Sequence, residues 1–184
     1  MEWFATGTVP TSVAPPSSAV AGAQAASELQ LPNPVPALSP SITGYVNLAE
    51  WLSIAPAVWA PLSTTAQACS AGGCVAATAT ATPSSVTWTT GDGSTVICNG
   101  PGTTYDIDLP PSSQSTACSH TYTISSAGQP SPDGNPNHAA FPITATITWS
   151  VTWVGPDGSG GALPSLTTQG MTSLVVAQIE SINN

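Results

Sequence analysis

Residues 141–153 read FPITATITWSVTW. Phe141, Ile143, Ala145, Ile147, Trp149, Val151 and Trp153 hold every odd position, while Thr and Ser hold most of the even ones. A period of two places these sets on opposite faces of an extended chain, which predicts a β-strand with one buried face. At about 3.3 Å per residue the stretch would reach roughly 40 Å. That is longer than one small sandwich needs, so the strand is expected to bend, or to overhang with Trp153 near a rim.

Outward from this strand, weaker alternation punctuated by Gly, Pro, Asn and Asp predicts further strands at 75–82, 85–90, 94–98, 104–109, 117–125 and 171–181. About seven strands joined by turns indicate an all-β, immunoglobulin-like sandwich over residues 69–184. Residues 1–43 are rich in Pro, Ser and Ala without sustained periodicity. They are expected to form an extended arm or linker near the polyproline II conformation, with local helix only in AGAQAASELQ. Between arm and sandwich, residues 44–68 form a Trp-rich segment. Its Tyr45, Val46, Leu48, Trp51, Leu52, Ile54, Val58 and Trp59 concentrate apolar surface that must be covered, by the sandwich or by another chain.

Composition excludes whole classes of partner. The 184 residues contain no Lys or Arg and nine Asp plus Glu, a formal charge of -9. Phosphate recognition depends on cationic side chains, so nucleic acids, nucleotides and anionic lipid surfaces are poor partners. Salt bridges to Lys or Arg are absent too, so packing, hydrogen bonds and disulfides must carry stability. No stretch approaches the roughly 20 consecutive apolar residues of a membrane helix, so no membrane span is expected. MEWFATGTVP at the start lacks a basic and then apolar leader, and the reading expects an export signal to have been removed.

Trp88 followed by Gly91-Asp92-Gly93, and then His120-Thr121-Tyr122 ahead of the long strand, resemble the polycystic kidney disease (PKD) domain. Residues 85–183, with CNGPGTTY, CSHTYTISSA and TATITWSVTW, are similar to exported PKD-like proteins of actinobacteria, of unassigned function and sometimes labelled ATP/GTP-binding. The resemblance covers somewhat more than half of the chain and implies an Ig-like sandwich. The nucleotide label fails on chemistry, since there is no GxxxxGK[ST] loop and no cation to meet a phosphate. The chain departs from the PKD pattern in the long insertion Ser125–Pro142 and in the pair Cys69 and Cys74.

Individual residues favour structure over chemistry. Asp92 between two glycines suits the cap of a tight turn. His120, at an inward position, is expected to be a hydrogen-bonded sandwich histidine. His138, in the inserted loop, is expected to be exposed. Tyr122 fits a tyrosine corner, its hydroxyl bonded back to the main chain. No G-x-S-x-G turn surrounds a serine, and Asp92, Asp106 and Asp108 lack calcium-loop spacing. No catalytic residue, cofactor or metal is expected.

Four cysteines in a chain of extracellular character favour disulfides. Cys98 and Cys118 flank a loop of about 20 residues whose closure would contribute about 3 kcal/mol. They are paired here, leaving Cys69 with Cys74 around a small loop. A zinc site would need two close cysteine knuckles, and only Cys69 and Cys74 are closely spaced, as C-x4-C. Of six tryptophans, Trp88 and Trp149 suit the core. Trp3, Trp51, Trp59 and Trp153 are candidates for exposure, and Trp51, Trp59 and Trp153 for interaction, with core or arm packing as the alternative. The expectation is a non-catalytic extracellular structural or interaction module of a bacterial envelope, one form of which is a self-assembling surface polymer. Its partner would be a protein or a second copy. The alternative is a carbohydrate-binding or spacer module of a secreted hydrolase.

Overall fold

A computed structural model describes residues 13–41, 43–135 and 138–178. Residues 1–12 of the arm, including Trp3, and the expected strand end beyond 178 lie outside the described residues. The fold is mostly β, in two sheets. After helix α1 (Ser18–Ser27) come β1 (Pro36–Ser39), β2 (Thr43–Tyr45), β3 (Ala49–Ile54), β4 (Leu62–Ser70) and β5 (Gly73–Thr89). They are followed by β6 (Thr95–Cys98), β7 (Ser119–Thr121), β8 (Phe141–Val154) and β9 (Gly160–Ala177). One sheet has the order β1-β3-β7; the other has the order β2-β9-β8-β5-β4, with β6 also on β5.

The chain divides into two compact units that cut across the expected boundaries at 43/44 and 68/69. The first comprises 1–29, 63–80 and 151–163. The local helix expected in 21–30 is found at 18–27, and the expectation that the arm is extended is corrected in that Ala21 and Ala25 are fully buried. Ser18, Ala21, Gly22 and Ala25 repeat at i, i+3, i+4 and i+7, a narrow stripe of small residues. It meets Ala66, Ala68, Ala77 and Ala79 of β4 and β5, with Trp153 against both clusters. Small side chains on both elements allow close approach, and the indole fills the space they leave.

β4 and β5 form a hairpin whose tip is the expected small loop between Cys69 and Cys74. Ser63 pairs with Thr80 and Thr65 with Thr78 through hydroxyls at 2.8 and 2.7 Å. This register sets Cys69 opposite Cys74, and the two are joined by a disulfide. β4 went unpredicted because Thr and Ala supply little contrast between its faces.

The second unit comprises 30–62, 81–150 and 164–184. Phe141, Ile143, Ala145, Ile147 and Trp149 of β8 are all fully buried, the face read from alternation. Val86 and Trp88 of β5, Leu174 and Val176 of β9, and Leu52 and Ile54 of β3 are buried with them. The Trp149 indole donates to Thr168 Oγ1 at 3.0 Å. β5 runs unbroken where two strands were expected, although it contains Pro83. β4 begins only at Leu62, and β6 covers residues 86–89 of β5. Pro83 therefore falls between these partners, where one side needs no N–H. Nine strands form among the described residues against about seven expected. The additional ones, β1 to β4, are short or low in contrast, and β1 to β3 lie within the segments read as arm and docking stretch.

A Cβ added at Gly22 would lie 2.7 Å from Trp153 Cγ, at the root of the ring where the side chain cannot swing away. Gly22→Ala should therefore destabilise the protein by about 1–3 kcal/mol, against a gain of up to about 1 kcal/mol normally expected for this change in a helix. Thermal denaturation of the variant measures the sign.

Candidate functional site

Two places in the second unit gather the residues that carry chemistry. The first is the turn joining β5 to β6. Gly91 and Gly93 have φ of 82° and 92°, which only glycine adopts readily, and they bend the chain tightly around Asp92. Asp92 Oδ1 accepts from the Thr90 hydroxyl at 2.7 Å and the Ser94 N–H at 3.0 Å. Its Oδ2 lies 2.8 Å from His120 Nε2. Tyr122, just after β7 and two residues on from His120, meets His120 edge-on at 4.5 Å and stacks on Phe141 at 5.1 Å. The Tyr122 hydroxyl donates to the Thr90 carbonyl at 3.0 Å, which closes a ring of contacts from Thr90 through Asp92, His120 and Tyr122. Since β5 and β7 belong to different sheets, this ring ties one sheet of the unit to the other.

Glu50 completes the cluster and was not singled out in the sequence. It sits opposite His120 in the β3–β7 register and is 1% exposed. One carboxyl oxygen has no hydrogen-bond partner. The signal was a lone acid in the apolar run AEWLSI, at an inward position once the strand phase is known. Burial pushes the Glu50 carboxyl up to about 8, only partly opposed by a hydrogen bond with the Ser39 backbone. Asp92 goes the other way. Burial would raise it, but the Thr90 hydroxyl, His120 and the Ser94 N–H bring it down to about 2. Burial, then the charges of Asp92 and Glu50, hold the Tyr122 phenol well above its usual range.

The second place is an open cleft of about 860 Å³ on the same unit. Trp51 and Tyr105 form its corner, with ring centroids 5.3 Å apart and planes at 89°. Tyr45 and the hydroxyl-bearing Ser39, Ser41 and Thr43 line it, with Leu48 and Ile107. Trp51 faces away from Glu50 because successive residues of β3 alternate, and its strand is paired on both sides, by β1 and β7. Tyr105 stands on the loop closed by the Cys98–Cys118 disulfide.

That loop corrects the expected strand at 104–109. Gln114 Oε1 accepts from the Asp106 N–H at 2.8 Å, and Gln114 Nε2 donates to the carbonyls of Asp106 at 2.8 Å and Leu109 at 3.2 Å. Asp106 Oδ1 also takes the Asp108 N–H at 2.9 Å. Side chains thus satisfy the backbone groups that a neighbouring strand would have used. The alternating Ile107 and Leu109 are left 88% and 48% exposed.

The remaining candidates are dispersed. Trp88 is fully buried in β5. Trp59 is half-buried after a 3-10 turn at Pro56–Val58. Trp153 packs in the helix-bearing first unit, whereas Trp51 and Trp59 belong to the second. His138 Nδ1 lies 2.6 Å from Asp133 Oδ2 on the surface of the inserted loop. No family model, curated protein or solved structure matches this chain. Among the described residues no three His, Cys, Asp or Glu are grouped as a metal site, and no helix is long and apolar enough to cross a membrane.

Two measurable consequences follow from this geometry. Glu50, raised from 4.5 to about 8, stabilises the fold fully below pH 4.5 and loses that contribution as pH rises to about 8. The loss is on the order of a few kcal/mol. Asp92, lowered from 3.8 to about 2, contributes fully above pH 3.8 and loses its contribution as pH falls to about 2. Stability should peak near pH 4, and Glu50→Gln should flatten the alkaline fall in urea midpoints measured from pH 4.5 to 8. A wild-type midpoint that rises over that range would contradict a buried, neutral Glu50. Separately, the Cys98–Cys118 bridge spans 20 residues and Cys69–Cys74 only 5. Replacing the first pair with Ser should cost about 3 kcal/mol in urea unfolding, and replacing the second pair distinctly less.

Proposed function

We propose that this chain is a non-catalytic interaction module of the bacterial cell exterior, built on a PKD-like, immunoglobulin-like sandwich, which works by contact through the Trp51–Tyr105 cleft. The observation that carries this reading is a division of labour within one unit. The acid–base groups Asp92, His120 and Tyr122 are engaged with one another and with the turn they hold. The open concavity of the same unit is lined instead by aromatic rings, hydroxyls and a few aliphatic side chains, with no carboxylate or imidazole among them. Two disulfides favour an oxidising compartment, and a surface with few charged residues and many hydroxyls suits a crowded exterior. The Trp88, Gly-Asp-Gly and His-Thr-Tyr residues that resemble PKD domains support the sandwich type.

The test is binding to washed bacterial cell-envelope fragments by co-sedimentation, for the wild type and Trp51→Ala. A bound fraction that drops at least fivefold in the variant is expected, with an unchanged far-ultraviolet spectrum. Equal binding of the two proteins, or none by either, would remove the cleft from the function.

A further inference from the structure

Resting on that reading, we infer that the Trp51–Tyr105 cleft is a binding site for an uncharged oligosaccharide chain. Three observations combine. The corner formed by Trp51 and Tyr105 supplies two flat apolar walls at right angles, 5.3 Å between centroids. A sugar ring has two such needs at once, since its C–H faces seek an aromatic surface while its rim of hydroxyls seeks hydrogen bonds. The cleft meets the second need with the hydroxyls of Ser39, Ser41, Thr43, Tyr45 and Tyr105, none of which makes a side-chain hydrogen bond among the described residues.

Charge then narrows the sugar. The lining contains no carboxylate and no imidazole, and the chain offers no Lys or Arg while carrying -9 overall. A uronic acid or a phosphorylated or sulfated glycan would find no counter-charge and a repulsive field. A cationic amino sugar would find no carboxylate in the cleft to meet its ammonium. Neutral sugars are the class that the lining satisfies without an unpaired charge. A purely apolar ligand would cover the ring faces but strip water from the hydroxyls without replacing it, at a cost for each group.

The site is also built before the ligand arrives. Trp51 is held in a strand paired on both sides, and Tyr105 in a loop closed by Cys98–Cys118 and pinned by Gln114. Little ordering is left to oppose binding. A volume of about 860 Å³ lies within the range of about 300–1,000 Å³ usual for small-molecule sites. Because the cleft is open, it takes a segment of a longer chain rather than an enclosed monosaccharide.

The experiment is isothermal titration of the full chain with cellohexaose, xylohexaose, laminarihexaose and chitohexaose, and with hexagalacturonic acid as the anionic control. At least one neutral hexasaccharide should bind, with hexagalacturonic acid at least tenfold weaker. Tyr105→Ala and Trp51→Ala should each weaken binding tenfold or more, and Trp51→Phe only a few-fold. Tyr105 lies outside the strands, so its variant carries the test if Trp51→Ala fails to fold, as judged by near-ultraviolet circular dichroism. Failure of all four neutral sugars, binding that survives both alanine changes, or equal binding of the anionic control would overturn the proposal. If the sugars fail while envelope binding still depends on Trp51, the ligand class is wrong and the contact function stands. Self-association in analytical ultracentrifugation that is lost in Trp51→Ala would likewise overturn the sugar, by assigning the cleft to a second copy.

Discussion

A chain with nine carboxylates and no Lys or Arg must neutralise or satisfy every acid by other means, and that constraint shapes its turns. The same solution recurs. Asp92 accepts from the Thr90 hydroxyl and the Ser94 N–H, Asp133 from the Ser131 hydroxyl and the Asn135 N–H, and Asp157 from the Ser159 hydroxyl and N–H. Each carboxylate collects a hydroxyl and a backbone donor from within two residues. Hydrogen bonds of this kind stabilise the ionised form, and all three carboxyls lie below their ordinary range. The abundance of Ser and Thr is thus the counterpart of the missing cations.

Asp92 differs from the other two in what else it reaches. Through His120 and Tyr122 its turn is fastened to the opposite sheet, and the Thr90 carbonyl returns the contact. Glu50 lies beside this fastening, opposite His120, and is accommodated as a neutral acid. The two acids both neighbour His120 yet are pushed in opposite directions. One has donors on both oxygens; the other has an oxygen with no partner. Burial alone is common to both, and hydrogen bonding decides the difference.

The aromatic cleft follows from the same strands. Glu50 points inward on β3, so Trp51 must point outward, and the register that brings Glu50 to His120 brings Trp51 to Ser39 and Ser119. Tyr105 reaches it from a loop that would be entropically expensive if open. A disulfide and one glutamine make that loop part of the scaffold. The interior fastening and the exterior aromatic cleft are thus two faces of one strand.

The amino-acid sequence by itself determined the elements whose signal is local. Alternation in 141–153 fixed the buried face of β8, Gly91 and Gly93 marked a tight turn, and the cysteine spacing suggested its two bridges. The apolar face of α1 was less legible because it consists of Ala, Gly and Ser, whose burial depends on what lies opposite rather than on hydrophobicity. Strand β3 was hidden because most of its positions are buried, which erases the period of two. Only the tertiary structure decided that Ile107 is exposed despite an alternating pattern, that Glu50 faces His120, and that Trp51 meets Tyr105 across 54 positions of sequence. Those pairings are long-range: no local propensity encodes which strand will lie beside which, and that choice follows from the burial and hydrogen bonding of the whole unit at once.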